Sequence, residues 1–255
     1  MNRPPAAGIV RTAMVLAAGR GVRLRPITED RPKPLVTVAG RAILDRTLDA
    51  LAAAGVDACV VNTHHLGHMI AAHVARRGRP AVRISPEPRL LDTGGGVLKA
   101  RPFLGDGPFF VVNGDVLWDE GPEGPALARL AAGFDPVRMD ALLLVVARER
   151  AVGYDGPGDF TLGGDGRLHR RGAAPAASHV FTGLQVLNPA LLAGCPEGAF
   201  SLNLLYDRAI TARRLHGLAH AGRWYHVGTL DGLDRAEAAL GAGGDGAPGA
   251  RGRGP

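Results

Sequence analysis

Over the first 147 residues, short apolar runs of strand length alternate with stretches whose apolar residues return at helical spacing. Residues 12–17 (TAMVLA), 58–62 and 109–112 read as buried strands, and 81–84 as a shorter one. Between them, residues 42–54 carry Ile43, Leu44, Leu48 and Leu51 at helical spacing and stop at Gly55, a plausible C-terminal cap. Further helices are predicted over 66–77, from 95 to 100 and over 126–132, with another strand over 141–147. This β-α-β-α rhythm predicts an α/β fold with a single Rossmann-like, mostly parallel, doubly wound sheet. The remainder is less regular. Strands are predicted at 160–162, 168–170, 180–187 and 224–227, with helices at 203–213 and 230–240. These are expected to extend the sheet and build a small lid over a ligand. One domain is expected over 12–240, with a flexible arm at 1–11 and a disordered Gly/Ala/Arg tail at 241–255.

Aromatic residues make up 5% of the chain, so Ala, Val and Leu must build the core. No apolar run reaches the roughly 18–20 residues that span a bilayer, and no signal-peptide pattern opens the chain. Cys59 and Cys195 lie apart and read as free thiols of a cytoplasmic protein. The net charge of +6 is spread along scattered arginines, with no basic run and no interleaved stacking aromatics. That pattern favours small phosphorylated molecules as partners over nucleic acid or membrane; the oligomeric state stays open between a monomer and a small homo-oligomer. Of 30 basic residues only Lys33 and Lys99 are lysines. Lysine offers a compact point charge where arginine offers a planar fork.

The first strand runs into Ala18-Gly19-Arg20-Gly21-Val22-Arg23-Leu24-Arg25-Pro26. Small residues and glycines let backbone N–H groups approach phosphate oxygens, and the arginines add charge. A structural turn is the other reading of this spacing. Leu24 excludes a dinucleotide fingerprint and the absence of Gly-Lys-Ser/Thr excludes a Walker A loop. Downstream, Pro32 and Pro34 hold Lys33 on a stiff extended stem.

LAAGRGVRLRPIT followed by RPKPL resembles the signature of the sugar-1-phosphate nucleotidyltransferases. The resemblance implies the nucleotide-diphospho-sugar transferase fold, with a nucleotide-binding part over about 12–120 and a sugar-binding part over 121–240. It implies that Ala18, Gly19 and Gly21, with Ala17 and Val22 in the same loop, wrap a nucleoside triphosphate. Arg23 and Lys33 would hold the triphosphate and the leaving pyrophosphate.

Three further blocks match. In Ser85-Pro86-Glu87-Pro88 and Leu91-Asp92-Thr93-Gly94-Gly95-Gly96, glycines opening a helix permit close approach of a flat base or an anion; a turn capped by Thr93 is the alternative. The resemblance implies that Glu87, Gly94 and Gly95 line the base pocket. Lys99 would face either the site or solvent. In Phe109–Asp115 (FFVVNGD), a buried strand delivers Asp115 to the carboxyl edge of the sheet, where it could hold Mg²⁺ or simply form a turn. The resemblance implies Asp115 as metal ligand and Asn113 as a contact to the sugar phosphate. Trp224-Tyr225-His226-Val227-Gly228-Thr229 resembles the family's Trp-x-Asp-x-Gly-Thr, but carries His226 where the second metal-binding aspartate is expected. His226 could ligate the metal, hold a metal-bound water, or only pack. His64 and His68, four residues apart, have no third ligand nearby and read as a polar helix start.

Within the family, PEPRLLDTGGGVLKA, NGDVLW, GYDGPGDFTLGGDGRL and FTGLQVLNPALL are similar to the N-acetylmuramate-1-phosphate uridylyltransferases of peptidoglycan recycling. That subgroup implies UTP and an N-acetylmuramate 1-phosphate acceptor. Gly153, Asp159, Phe181, Thr182, Gly183 and Asn203 would then shape the sugar pocket, with Asp207 beside it. The alternatives are a mannose-1-phosphate guanylyltransferase or another nucleotide and sugar pair, and an inactive nucleotide-sugar-binding subunit.

Overall fold

A computed structural model describes residues 10–241; the predicted arm and tail fall almost entirely outside these residues. The elements in chain order begin with β1 (Thr12–Leu16), β2 (Thr37–Val38), β3 (Arg41–Ala42), α1 (Ile43–Ala53), β4 (Ala58–Thr63), α2 (Gly67–Val74), β5 (Ala81–Pro86) and α3 (Asp92–Ala100). They continue with β6 (Phe109–Asn113), β7 (Val116–Trp118), α4 (Ala126–Gly133), β8 (Ala141–Ala147), β9 (Ala151–Val152), β10 (Phe160–Leu162) and β11 (Leu168–Arg170). The last are β12 (His179–Leu187), α5 (Asn203–Thr211), β13 (Leu215–His220), β14 (Trp224–His226) and α6 (Leu230–Gly241).

Nine strands form the main sheet along the path β11-β10-β12-β6-β1-β4-β5, with β8 joining β12 to β13. The pairs β6-β1, β1-β4, β4-β5 and β8-β13 are parallel. The β12 strand is antiparallel to β6, β8 and β10, and β11 is antiparallel to β10. Only β11 and β12 therefore run against the other seven. The mostly parallel α/β sheet stands, with one long reversed strand inserted between its two halves.

The parallel strands are buried on both faces, as their continuous apolar runs require. Leu44, Leu48 and Leu51 of α1, Ile70 of α2 and Leu130 of α4 cover one face. Val97 of α3 with Leu205 and Tyr206 of α5 cover the other. Each such Leu or Ile contributes about 1.5–3 kcal/mol by leaving water. A third, smaller core lies at the carboxyl edge. There Val36, Val38, Ile43, Leu117, Tyr225, Val227 and Ala236 pack β2, α1, β7, β14 and α6 together.

Helix α3 begins at Asp92, earlier than glycine-driven reading predicts. Glycine inside a helix costs roughly 0.5–1 kcal/mol against alanine, so tertiary packing must select Gly94, Gly95 and Gly96. A Cβ at Gly94 would lie 2.3 Å from the Phe200 ring, and one at Gly95 would lie 2.2 Å from the Gly198 carbonyl oxygen. Helix α5 ends at Thr211, before the predicted 213; Arg213 turns left-handed (φ 56°) and Arg214 N–H closes the end on Ala209 O at 2.7 Å.

Two histidines on β13 are almost fully buried, His216 at 4% and His220 at 3% exposure. Burial pushes the pKa of both down. The His220 Nε2–H donates to Asp119 O at 2.9 Å, and the buried Nδ1 of each ring has no partner. Protonation would place an N–H where nothing accepts it. As pH falls below about 6.5, the unfolded chain binds protons that the folded chain resists. The stability these rings contribute is present above that pH and lost as pH falls toward their lowered folded values. The melting temperature should drop between pH 7.5 and 5.5. His220→Gln, which keeps a donor for Asp119 O, should flatten that slope in scanning calorimetry; an unchanged slope would place the dependence on other groups.

Candidate active site

The carboxyl ends of β1, β4, β5 and β6 open onto a cavity of about 460 Å³. Its floor is a chain of buried hydrogen bonds. Ala17 N–H donates to Asn62 Oδ1 at 2.7 Å, and Asn62 Nδ2 donates to Glu87 Oε1 at 2.7 Å. Glu87 Oε2 accepts from Leu91 N–H at 3.0 Å. Asn62 and Glu87 are each 3% exposed, so these partners are what make their burial tolerable. The network joins β1, β4, β5 and the start of α3. It also dictates Gly96, where a Cβ would stand 2.9 Å from Asn62 Nδ2 and 3.0 Å from Glu87 Oε1.

The glycine loop follows β1. Ala17, Ala18 and Gly19 line the cavity, and a Cβ at Gly19 would meet nothing within 4 Å. Gly21 has a different task. It is left-handed (φ 64°), its carbonyl accepts from the Thr28 hydroxyl at 2.8 Å, and a Cβ there would press on Thr28 and Lys33 at 3.0 and 3.2 Å. The Val22 side chain is exposed, as is Arg23.

Lys33 starts a single 3₁₀ turn, so the extended path expected from the flanking prolines ends at Pro32 and does not include Lys33. Its side chain is 10% exposed, and Nζ donates to Asp115 Oδ2 at 2.6 Å. Asp115 lies two residues beyond the end of β6 and is 37% exposed. His226 of β14 lies opposite Val116 of β7, the residue after Asp115, and the Asp115 charge acts on its imidazole. Burial pushes the His226 pKa down; the Asp115 charge opposes this, and Lys33 and Arg23 add to it. Glycine at 228 leaves room for the imidazole as it stands, since a Cβ would sit 2.2 Å from His226 Nε2.

Asn113 ends β6 level with Leu16 and also lines the cavity. It packs over Gly183, whose φ of 85° and missing Cβ leave room for the Asn113 side chain. Gly153 (φ 73°) lies behind His226, against its carbonyl oxygen and Gly232. Asp159 is tied to Phe181, whose N–H donates to Oδ2 at 2.8 Å; burial raises its pKa.

Four residues expected as substrate contacts are engaged elsewhere. Thr182 is fully buried, with its hydroxyl donating to Leu144 O at 2.9 Å, so it holds β12 to β8 and presents no polar atom to a sugar. The N–H groups of Gly94 and Gly95 both donate to Phe200 O, at 2.8 and 3.1 Å, and Thr93 and Ala199 line the cavity in their place. Asn203 stands outside the cavity, donating to Ser201 Oγ and accepting from Arg170 at 3.0 Å. Of the two readings for Lys99, the exposed one holds, with its ammonium on Pro86 O. His64 donates through Nδ1 to Glu87 O at 2.7 Å, a structural role. Among the described residues, no group of three or more His, Cys, Asp and Glu could hold a metal by itself.

Asn62 escaped the sequence reading, although a polar residue closing an apolar strand marks the carboxyl edge. Nothing in the sequence flags Ala199, which arrives from a loop far downstream of β6, the last of these four strands.

A nucleotidyl transferase family profile matches residues 12–154, which carry the loop, Lys33, Glu87, Asn113 and Asp115. The chain belongs to the nucleotidyl transferase family. It is 42% identical over 233 residues to the N-acetylmuramate alpha-1-phosphate uridylyltransferase of Caulobacter vibrioides, covering 89% of this chain and 96% of that one. It is 36% identical to the protein of the same name from Neisseria meningitidis serogroup B, covering 90% and 98%. The fold is shared with a UTP-bound UGPase from Acinetobacter baumannii, at a TM-score of 0.75 and 19% identity over 93% of this chain and 95% of that one. No helix among the described residues of this family member is long and apolar enough to cross a membrane.

Asn62→Ala should destabilise the fold by about 2–4 kcal/mol, because it strands the Ala17 N–H and Glu87 Oε1 in a buried site. Gly96→Ala should act on the same network and show little additivity with it. Urea denaturation of the two single variants and the double variant checks both statements.

Proposed function

We propose that this chain is a cytoplasmic enzyme that transfers a uridylyl group from UTP to N-acetylmuramate 1-phosphate, releasing pyrophosphate, as a step of peptidoglycan recycling. The observation that carries the reaction class is the buried Lys33 ammonium held on Asp115 at 2.6 Å beside a glycine-lined cavity. The choice of substrates rests on the relatives at 42% and 36% identity over nearly their whole length.

In the proposed reaction an oxygen of the sugar phosphate attacks the α-phosphorus of UTP. A new oxygen–phosphorus bond forms as the bond to pyrophosphate breaks. The attacking oxygen is already ionised near neutral pH, so no general base is needed, and positioning with charge stabilisation supplies the catalysis. Ala17, Ala18 and Gly19 admit the nucleotide against the loop backbone. Lys33 and Arg23 neutralise the charge that builds on the pyrophosphate. Asn113 orients the sugar phosphate. With Oδ2 taken by Lys33 and the side chain 37% exposed, Asp115 leaves its other oxygen to a hard divalent ion that keeps its waters and takes phosphate oxygens as further ligands. Asp115, with His226 beside it, would hold Mg²⁺, which supplies charge neutralisation to the phosphates.

A second reading is transfer of a guanylyl group to mannose 1-phosphate. A mannose-1-phosphate guanylyltransferase catalytic subunit of Danio rerio is 29% identical over 71% of this chain, but the chain covers only 50% of it. Pyrophosphate release should appear with UTP and N-acetylmuramate 1-phosphate and be weak with GTP, dTTP or CTP and with mannose, glucose or N-acetylglucosamine 1-phosphate. Release with GTP and mannose 1-phosphate would replace the substrates. UTP binding without release for any pair would replace catalysis by a binding role. Lys33→Ala should lower kcat by at least about 100-fold. The melting temperature should barely change, because Asp115 regains water at its exposed side.

A further inference from the structure

The pairing slip in β12 lies where the cavity is built, and a residue outside the cavity holds it in place. Thr182 and Gly183 fall within the slip between Phe181 and Gln185, in register with neither β6 nor β8. Thr182 is pinned there at two points. Its hydroxyl donates to Leu144 O at 2.9 Å, and its carbonyl accepts from the Trp224 indole N–H at 2.8 Å. Leu184 N–H then donates to Thr182 Oγ1 at 3.3 Å, where pairing with β6 resumes. Gly183 stands between these anchors with φ 85°. Glycine is free over a wide range of φ, so it does little to hold the peptide that joins it to Thr182. The indole on the Thr182 carbonyl sets the orientation of that peptide from outside.

Gly183 is in turn the floor under Asn113. A Cβ at Gly183 would lie 2.8 Å from Asn113 Nδ2, 2.9 Å from its Cβ and 3.0 Å from its Cγ, so the whole side chain rests on the glycine. Asn113 lines the cavity. A turn of the Thr182–Gly183 peptide therefore moves the surface on which a cavity side chain sits. Trp224 is itself firmly held. It is 4% exposed. It pairs with Trp118 of β7 on one side and Ala151 of β9 on the other. The Tyr154 ring stands edge-on to it, with 6.2 Å between ring centres. The indole has no room to follow a displaced carbonyl, so the carbonyl conforms to the indole.

Resting on the proposed role of Asn113 in orienting the sugar phosphate, we infer that Trp224 is a positioning residue for that substrate, acting on Asn113 through the Thr182 carbonyl and Gly183. Trp224 does not itself line the cavity. The N–H carries the effect, and the ring carries the packing. Phenylalanine fills most of the same volume and lacks the donor. It leaves the buried Thr182 carbonyl without the indole, and the adjoining glycine lets the peptide turn toward another partner. Asn113 then loses its fixed seat, and a small misplacement of an orienting group is costly in the transition state.

The test is steady-state kinetics of Trp224→Phe, Asn113→Ala and the double variant, with UTP and the sugar phosphate that the wild-type enzyme turns over. Trp224→Phe should raise KM for the sugar phosphate and lower kcat/KM for it by roughly 10- to 100-fold, with KM for UTP unchanged. In the Asn113→Ala background Trp224→Phe should add nothing to the sugar-phosphate KM, because the group it acts through is gone. A purely structural Trp224 would lower the melting temperature and the fraction of active enzyme, reducing kcat without moving either KM; that result overturns the inference. So does an equal rise in KM for UTP. So does an effect that persists at full size in the Asn113→Ala background, which would route it through the His226 ring, 5.6 Å from Trp224 between centres. A wild-type KM for the sugar phosphate in Asn113→Ala overturns the role of Asn113 and this inference, and leaves the proposed reaction standing. Wild-type protein that turns over no sugar phosphate overturns the reaction and the positioning role together.

Discussion

A lysine ammonium that is nine-tenths out of water needs a counter-charge, and Asp115 provides it for Lys33. The two residues are 82 positions apart, so their contact fastens the proline-stiffened loop to the carboxyl edge of the sheet. The smallest of the three cores lies behind that contact. Val36 packs there three residues after Lys33, Leu117 two residues after Asp115, and Tyr225 and Val227 on either side of His226. Each polar site residue is thus a short step from an apolar anchor in one cluster. The cluster sets their relative positions; the ion pair alone, 37% open to solvent on the Asp115 side, would supply little net stability.

The long reversed strand β12 serves the site in another way. Along its length it pairs with β8, while its other edge pairs with β10 near His179 and with β6 from Leu184 to Leu187. Between those stretches the pairing slips, at Phe181 to Gln185. The slip contains Gly183, on which Asn113 rests, and Thr182, whose carbonyl accepts from the Trp224 indole at 2.8 Å. A break in the ladder therefore makes space beside the nucleotide-side residues and connects them to β14.

The parallel half of the fold was readable because strands buried on both faces leave continuous apolar runs, and α1 shows a clear apolar stripe. Lys33, Asp115 and Gly19 were readable for a chemical reason: each is a polar or side-chain-free position where an apolar strand ends or a chain is stiffened; Glu87 and Asn113 were readable only through the family resemblance. Thr182 was not. The bulge after Phe181 breaks the two-residue alternation, so position in the strand no longer tells which way a side chain faces. Gly94 and Gly95 show a related limit. Glycine permits close approach of any group, and the sequence does not say whether that group is a base or the Phe200–Gly198 backbone. Asn62 and Gly96 depend on each other across the fold, a relation that no local pattern carries.

The closing helix α6 holds the far side of that small core through Ala236, and its Glu237 accepts from Ala39 N–H at 2.7 Å, 198 residues earlier in the chain. This has a consequence for biosynthesis. A chain emerging from the ribosome displays the glycine loop and Lys33 long before β14 and α6 exist to brace them. The parallel half has its own strands and covering helices early, yet the geometry around Asp115 is complete only when the last described helix docks. A nascent chain that has not yet synthesised β14 and α6 therefore carries the loop and Lys33 without the residues that brace them.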